Sequence, residues 1–306
     1  MIQKSIYKRI TEYFACVALT TFACALIAQS SSDLSEFFDQ SELPEGFSIL
    51  SQSEAEEYQK ERLEEFKREL QISELSDTHQ DLLAHALSTT FKGIPISTFQ
   101  QVKASEGLHG EPWESTETLV VEDTGRVQDM KFKSRSLSVT GLDTPFSYRE
   151  GVPVQPESGR VLDETDSEIS FRFDVDLDYI FSDLRGSPLQ FPEGLIQEER
   201  IDFVMDITIN KEDRYLKRSS LHLAKPLRKM FVFSLKTLEI TLDYEFVKEC
   251  GCSVIHTASY HTDGSIILGG RMFSKRTVTY SDVYCEQPMR YVLPPEDSFV
   301  GLLVRF

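Results

Sequence analysis

The sequence predicts an α+β fold: a curved, half-barrel-like antiparallel sheet with N-terminal helices packed against it. Three observations predict it. From residue 169 to 179 every odd position is apolar (Ile169, Phe171, Phe173, Val175, Leu177, Tyr179) and every even one is polar or charged. Successive strand side chains point to opposite faces, so this run has one apolar and one wet face, as in an antiparallel sheet open to water on one side. Helical periodicity, by contrast, is confined to the first third of the chain. Finally, Phe231, Phe233 and Leu235 have one parity, and Leu238, Ile240, Leu242, Tyr244 and Phe246 the other. A parity switch inside a strand needs a bulge or bend, which curves a sheet.

The elements follow in order. Residues 1–30 read as a signal peptide, with Lys4, Lys8 and Arg9 ahead of the apolar stretch Phe14–Ala28 and small residues at Ala28-Gln29-Ser30. The apolar stretch is shorter than the roughly 20 residues that span a bilayer. Residues 31–52 are Ser-, Asp- and Glu-rich and read as an acidic tether. The helical segment is 53–95. Ser53 and Glu56 have capping-box spacing, Glu56–Lys60 and Glu64–Arg68 lie one turn apart, and Leu63, Phe66 and Leu70 form an apolar stripe. A second helix is expected from about Thr78 to Phe91, burying Leu82, Leu83, Ala86 and Leu87, and ending at Gly93 and Pro95.

Residues 96–165 read as mixed strands and loops, with strands at Thr118–Glu122 and Met130–Val139. Trp113, the single Trp, is expected in the core. Residues 166–306 form the antiparallel β region. Ile201, Phe203, Met205, Ile207 and Ile209 alternate with polar residues, Asn210–Asp213 is a turn, and Leu216–Leu223 is the partner strand. Asp263-Gly264 reads as a hairpin turn, and Gly269-Gly270 as a bend.

The chain has 306 residues and a net charge of −18, which argues against nucleic acid as a partner. Lys211, Arg214, Lys217, Arg218, Lys225, Arg228 and Lys229 form a basic island. It reads as a solvated face, or as a surface for an acidic partner, a lipid headgroup or the acidic helix of the same chain. Lys217, Arg218 and Arg228 are the residues through which an envelope protein would be met.

No catalytic signature is present: no zinc-protease helix pair, serine-hydrolase elbow or dinucleotide-binding glycine pattern. Asp174, Asp176 and Asp178 alternate with Val175 and Leu177 and lack the Gly and Glu of a calcium loop. No cofactor and no metal is expected. Beyond the signal, the cysteines are Cys250, Cys252 and Cys285. An oxidising compartment would join Cys285 to Cys250 or Cys252, reduced thiols and a metal site with His256 and His261 being the alternatives. Val300, Leu302, Val304 and Phe306 alternate as in the last strand of an outer-membrane barrel, but the helical first third supplies no spanning strands.

The segment Leu221–Met230 leading into Phe231-Val232-Phe233, with Asp263-Gly264 and Thr277–Asp282 downstream, resembles bacterial exported proteins built on the lipoprotein-carrier half-barrel of the Gram-negative periplasm. The resemblance covers about residues 165–285. It implies a strongly curved sheet with helices over its mouth and an apolar concave face able to hold acyl chains. Its lining would be Phe171, Phe173, Leu177, Phe203, Met205, Ile207, Leu238, Leu242 and Phe246. The expected function is that of an exported, non-enzymatic envelope protein binding an apolar ligand such as a lipid or acyl chain. The alternative is an envelope protein–protein interaction module with a solid core. An outer-membrane barrel and a hydrolase rank lower. The expected location is periplasmic or secreted after cleavage, or membrane-anchored by residues 10–28 if the signal is retained.

Overall fold

The computed structural model describes residues 47–90, 93–107, 112–123, 126–130, 136–138, 144–146, 154–175, 202–229, 233–266 and 270–293. The signal peptide, Leu177, Phe231, Gly269 and the terminal Val300–Phe306 alternation lie outside these residues.

Chain order is β1 (Ser48–Ser51), α1 (Gln52–Leu70), α2 (Asp77–Ser88), β2 (Ile94–Pro95), β3 (Ser97–Gly107), β4 (Trp113–Val121), β5 (Arg126–Asp129), β6 (Ser136–Ser138), a 3-10 turn (Pro156–Ser158), β7 (Arg160–Glu164) and β8 (Glu168–Asp174). It continues with β9 (Phe203–Asn210), β10 (Leu216–Leu223), β11 (Leu227–Lys229), β12 (Phe233–Val247), β13 (Cys252–Ile266), β14 (Gly270–Cys285) and β15 (Arg290–Leu293). Among the described residues the strands form one twelve-stranded antiparallel sheet, ordered β6-β5-β4-β3-β14-β13-β12-β10-β9-β8-β7 with β11 beside β12, and a small sheet β1-β15-β2. The large sheet is open and curved, and the fold is α+β.

The curvature has local causes. The pairing of β12 with β13 shifts register between Leu235 and Thr237, where the apolar parity switches, and again between Asp243 and Tyr244. Further shifts fall in β10, β7 and β14. Each extra residue bends its strand and sharpens the twist.

Helix α1 begins two residues earlier than its spacing predicts. Ser51 Oγ accepts from the Glu54 amide at 3.4 Å, and Glu54 Oε2 accepts from the Ser51 amide at 2.7 Å. Both Ser51–Glu54 and Ser53–Glu56 have the required spacing, and the strand β1 ending at Ser51 selects the first. Such a cap contributes about 1 kcal/mol. Within α1, Arg62 meets Glu65 at 2.5 Å and Lys67 meets Glu64 at 3.5 Å. Helix α2 is capped by Ser76 and buries Leu82, Leu83, Ala86 and Leu87, as predicted.

Two apolar clusters hold the molecule. One joins Phe66, Leu70, Leu82, Leu83 and Leu87 of the helices and Leu75 between them to Ile169, Phe171, Phe173, Ile207, Ile209 and Leu216 of β8–β10. The other joins Ile94 and Val292 of the small sheet to Phe99, Leu119, Val121, Ile240, Leu242, Ala258, Val278 and Tyr280. Met205 and Tyr244 pack against both. Each fully buried large side chain contributes about 1.5–3 kcal/mol.

Two expectations are corrected. Asp263 and Gly264 are paired within β13, opposite Phe273 and Met272, so the hairpin reverses between Ile266 and Gly270. Gly270 has φ +80, the left-handed backbone that favours glycine. Trp113 is 49% exposed, because it sits at the start of β4, beyond both clusters. β3 was not foreseen, and it pairs with β4 and β14 near the middle of the sheet.

Candidate functional site: the inner face of the sheet

Strand pairing joins residues into rungs that cross the sheet. One rung runs Phe173, Met205, Leu221, Ile240, Tyr260, Arg276, Ser105, Trp113. The next runs Phe171, Ile207, Ser219, Leu242, Ala258, Val278, Lys103, Ser115. All these residues share one face, the one on which α1 and α2 pack at β8–β10. We term it the inner face.

Its character changes along the rungs. From β8 to β13 it is mainly apolar. At β14, β3 and β4 it carries Arg276, Lys103, Gln101 and Glu117. Gln101 is fully buried and donates from its amide nitrogen to the Tyr280 hydroxyl at 3.2 Å, while its Oε1 has no partner. Lys103 Nζ lies 3.9 Å from Glu117 Oε2, both side chains being largely buried. Arg276 is half-buried, and its Nε is buried without a hydrogen-bond partner. Buried polar groups are costly when left unsatisfied. A sheet that only needed a core would not place four of them on its inner face.

The residues singled out in the sequence are distributed unevenly. Phe171, Phe173, Met205, Ile207 and Leu242 come together on the inner face, as alternation predicts. The helices already cover Phe171, Phe173 and Ile207, each at most 1% exposed. Phe203 is partly buried against the larger cluster. Phe246, near the end of β12, is 40% exposed, its ring 6.0 Å from that of Tyr215. Leu238 is half-buried and lines a groove of about 630 Å³ together with Leu162, Leu223, Lys236 and residues of the opposite, polar face, among them Ser170, Thr208, Ser220 and Thr241. There Ser170 and Thr208 hydroxyls meet at 2.9 Å and Ser220 and Thr241 at 3.0 Å. Arg172 grips Asp206 with two bonds of 2.6 Å. This groove is therefore built from self-paired polar groups.

The basic island is largely matched within the chain. Lys211 meets Glu164 at 2.8 Å, Arg218 meets Asp243 at 2.6 Å, Lys225 meets Asp202 at 2.5 Å, and Lys217 pairs with Glu168. Arg214 pairs with Asp81 of α2, which Lys67 of α1 also approaches at 3.3 Å. The Arg214 guanidinium, followed by Lys67, holds the Asp81 carboxyl below its ordinary range. The island thus clamps helices and neighbouring strands to one another, and such exposed pairs contribute at most about 1 kcal/mol each.

Cys250 is bonded to Cys285, one of the two predicted pairings, and Cys252 is buried and outside the disulfide. The bond ties the β12–β13 turn to the end of β14. Among the described residues no group of His, Cys, Asp and Glu has the arrangement of a metal site.

Missed by sequence reasoning were Gln101, Lys103, Glu117 and Arg276. The signal that could have found them is the register itself, since Arg276 lies between Tyr260 and Ser105 only once β3 is recognised as a strand.

No protein-family model matches this chain, and no curated protein matches it. A solved structure does: a LolA superfamily protein from Nitrosomonas europaea, aligned over 68% of this chain and 93% of that one, at 10% identity and a TM-score of 0.28.

Proposed function

We propose that this protein is an exported, non-enzymatic envelope protein that binds an apolar ligand such as a lipid or acyl chain on the inner face of its sheet. The observation that carries this reading is the incomplete cover of that face. The helices cover Phe171, Phe173 and Ile207, and Leu221, Ile240, Leu242 and Ala258 are buried in the larger cluster, whereas Phe203, Met205 and Tyr260 remain only half-buried. A curved sheet that does not close must cover its apolar face with its own elements or with something else. The ligand therefore belongs beside the helices and not beneath them, against Phe203, Met205 and Tyr260. Export is supported by the charged, apolar and small-residue order of residues 1–30.

Native and denaturing intact masses test the reading. After incubation with oleoyl lysophosphatidylcholine the native mass should carry one lipid that leaves on denaturation, and Phe203→Glu should abolish the adduct without lowering the unfolding midpoint by more than a few degrees. A wild-type chain that takes up no lipid overturns the proposal. That outcome favours partner binding at β7, the edge strand among the described residues, whose five residues are all exposed, Val161 and Leu162 among them.

A further inference from the structure

We propose that the groove on the polar face of the sheet is a second binding site, and that it takes a neutral oligosaccharide. Its floor faces away from the helices, so the site stands or falls independently of the apolar one.

Two bulges shape this groove. The pairing of β7 with β8 skips Leu162, and that of β12 with β13 skips Lys236. Both extra residues line the cavity of about 630 Å³. An extra residue bends its strand and re-aims a side chain. The bent rims shelter a floor laid by β8, β9, β10 and β12: the Asp206 and His222 side chains there are only 19% and 27% exposed, and Ser220 9%. The volume lies within the roughly 300–1,000 Å³ of small-molecule sites.

Hydrogen-bonding capacity selects the class of ligand. Each hydroxyl has one donor and two acceptor lone pairs. Ser170 meets Thr208 at 2.9 Å and Ser220 meets Thr241 at 3.0 Å, and the Thr241 and Ser220 hydroxyls also reach Glu239 Oε1 at 3.2 and 3.5 Å. Those bonds use most of the donors and leave lone pairs on the floor. Donors stand at the rim, on the Lys236 ammonium and on Arg218, whose guanidinium spends only its Nε on Asp243 at 2.6 Å. A ligand that donates and accepts along its whole length suits this layout, and every sugar hydroxyl does both. Leu162, Leu223 and Leu238 give the C–H faces of the rings an apolar surface.

Charge decides that the ligand is neutral. Arg172 holds Asp206 with two bonds of 2.6 Å, and Asp243 holds Arg218. The formally charged residues left in the groove are Lys236 and Glu239, neither of which has an ion-pair partner among the described residues. An anion loses to Glu239 what it gains from Lys236, and a cation the reverse.

The full-length protein is titrated calorimetrically with maltotriose, cellotriose and triacetylchitotriose, which are neutral, and with trigalacturonate, which is anionic. At least one neutral sugar should bind with a Kd of about 1 mM or tighter, and trigalacturonate about tenfold more weakly than it. Thr241→Val should weaken the neutral sugar several-fold while keeping the unfolding midpoint within a few degrees. Glu239→Gln should shift the preference toward trigalacturonate, because Lys236 is then unopposed. No binding of any neutral sugar at about 10 mM overturns the site. Trigalacturonate binding as tightly as the neutral sugars overturns the neutrality assignment, and undiminished binding by Thr241→Val overturns the groove as its place.

Discussion

Replacing Cys285 by Ala removes the bond to Cys250 and opens a loop of sequence separation 35. The cross-link acts mainly on the unfolded chain. For a loop of that length the closure entropy it removes is worth about 3.8 kcal/mol at room temperature. This is a large share of the roughly 5–15 kcal/mol by which folded domains are stable. Little in the folded state should offset it, because Cys285 is held by its pairing with Ser97 of β3 and the Cys250 amide by the Val247 carbonyl at 3.0 Å. Cys252→Ala is the matched control: it removes a buried thiol two residues from Cys250 but no cross-link, and should cost about 1 kcal/mol. Both variants and the wild type are unfolded in guanidinium chloride, followed by far-UV circular dichroism. Cys285→Ala should lower the midpoint several times further than Cys252→Ala, and a reducing agent should lower the wild type to nearly the same midpoint. Equal losses for the two variants, or a wild type indifferent to reductant, would refute the loop-closure reasoning.

Two further outcomes follow from local geometry. A Cβ on Gly159 would meet Phe173 Cε1 at 2.6 Å, and Phe173 is fully buried under the helices, so Gly159→Ala should destabilise by about 1–3 kcal/mol in the same denaturation assay; an unchanged midpoint would show that the ring has room to move. Burial pushes the Tyr291 phenol from 10.0 up to about 12. Between those values the unfolded chain has released a proton that the folded one keeps, so stability should fall as pH rises above 10. Absorbance titration at about 295 nm of wild type and Tyr291→Phe would show this group ionising last, and a loss of signal difference already at pH 10 would contradict the burial argument.

Where side chains alternate cleanly, the architecture was readable in advance. β8, β9 and β10 were legible because burial on one face only leaves a two-residue period in Ile169–Phe173 and Phe203–Ile209. The bend in β12 was legible because a bulge flips parity. β3 was hidden for the converse reason. Its inner positions hold Phe99, Gln101, Lys103 and Ser105, so a strand with one buried face reads as an unpatterned polar segment. The same substitution of polar for apolar residues that concealed the strand places Gln101 and Lys103 on the inner face. The ligand-lining set was chosen for hydrophobicity alone, which selects core residues such as Phe171 and Phe173 ahead of half-buried ones such as Tyr260.

The small sheet has a mechanical consequence. β1 and β15 pair antiparallel with Ser48 opposite Leu293 and Ser51 opposite Arg290. The chain before Ser48 and the chain after Leu293 therefore leave from the same end of the pair. Tension between those two exits would load the ladder one rung at a time and peel it open like a zipper, where a pair with exits at opposite ends would resist in shear across all four rungs. β15 is also the strand that holds β2, and Val292 lies in the core with Phe99 and Tyr280. A modest pull between the two exits would thus loosen one flank of the large sheet first, while the helix-covered flank at β8–β10 stayed closed.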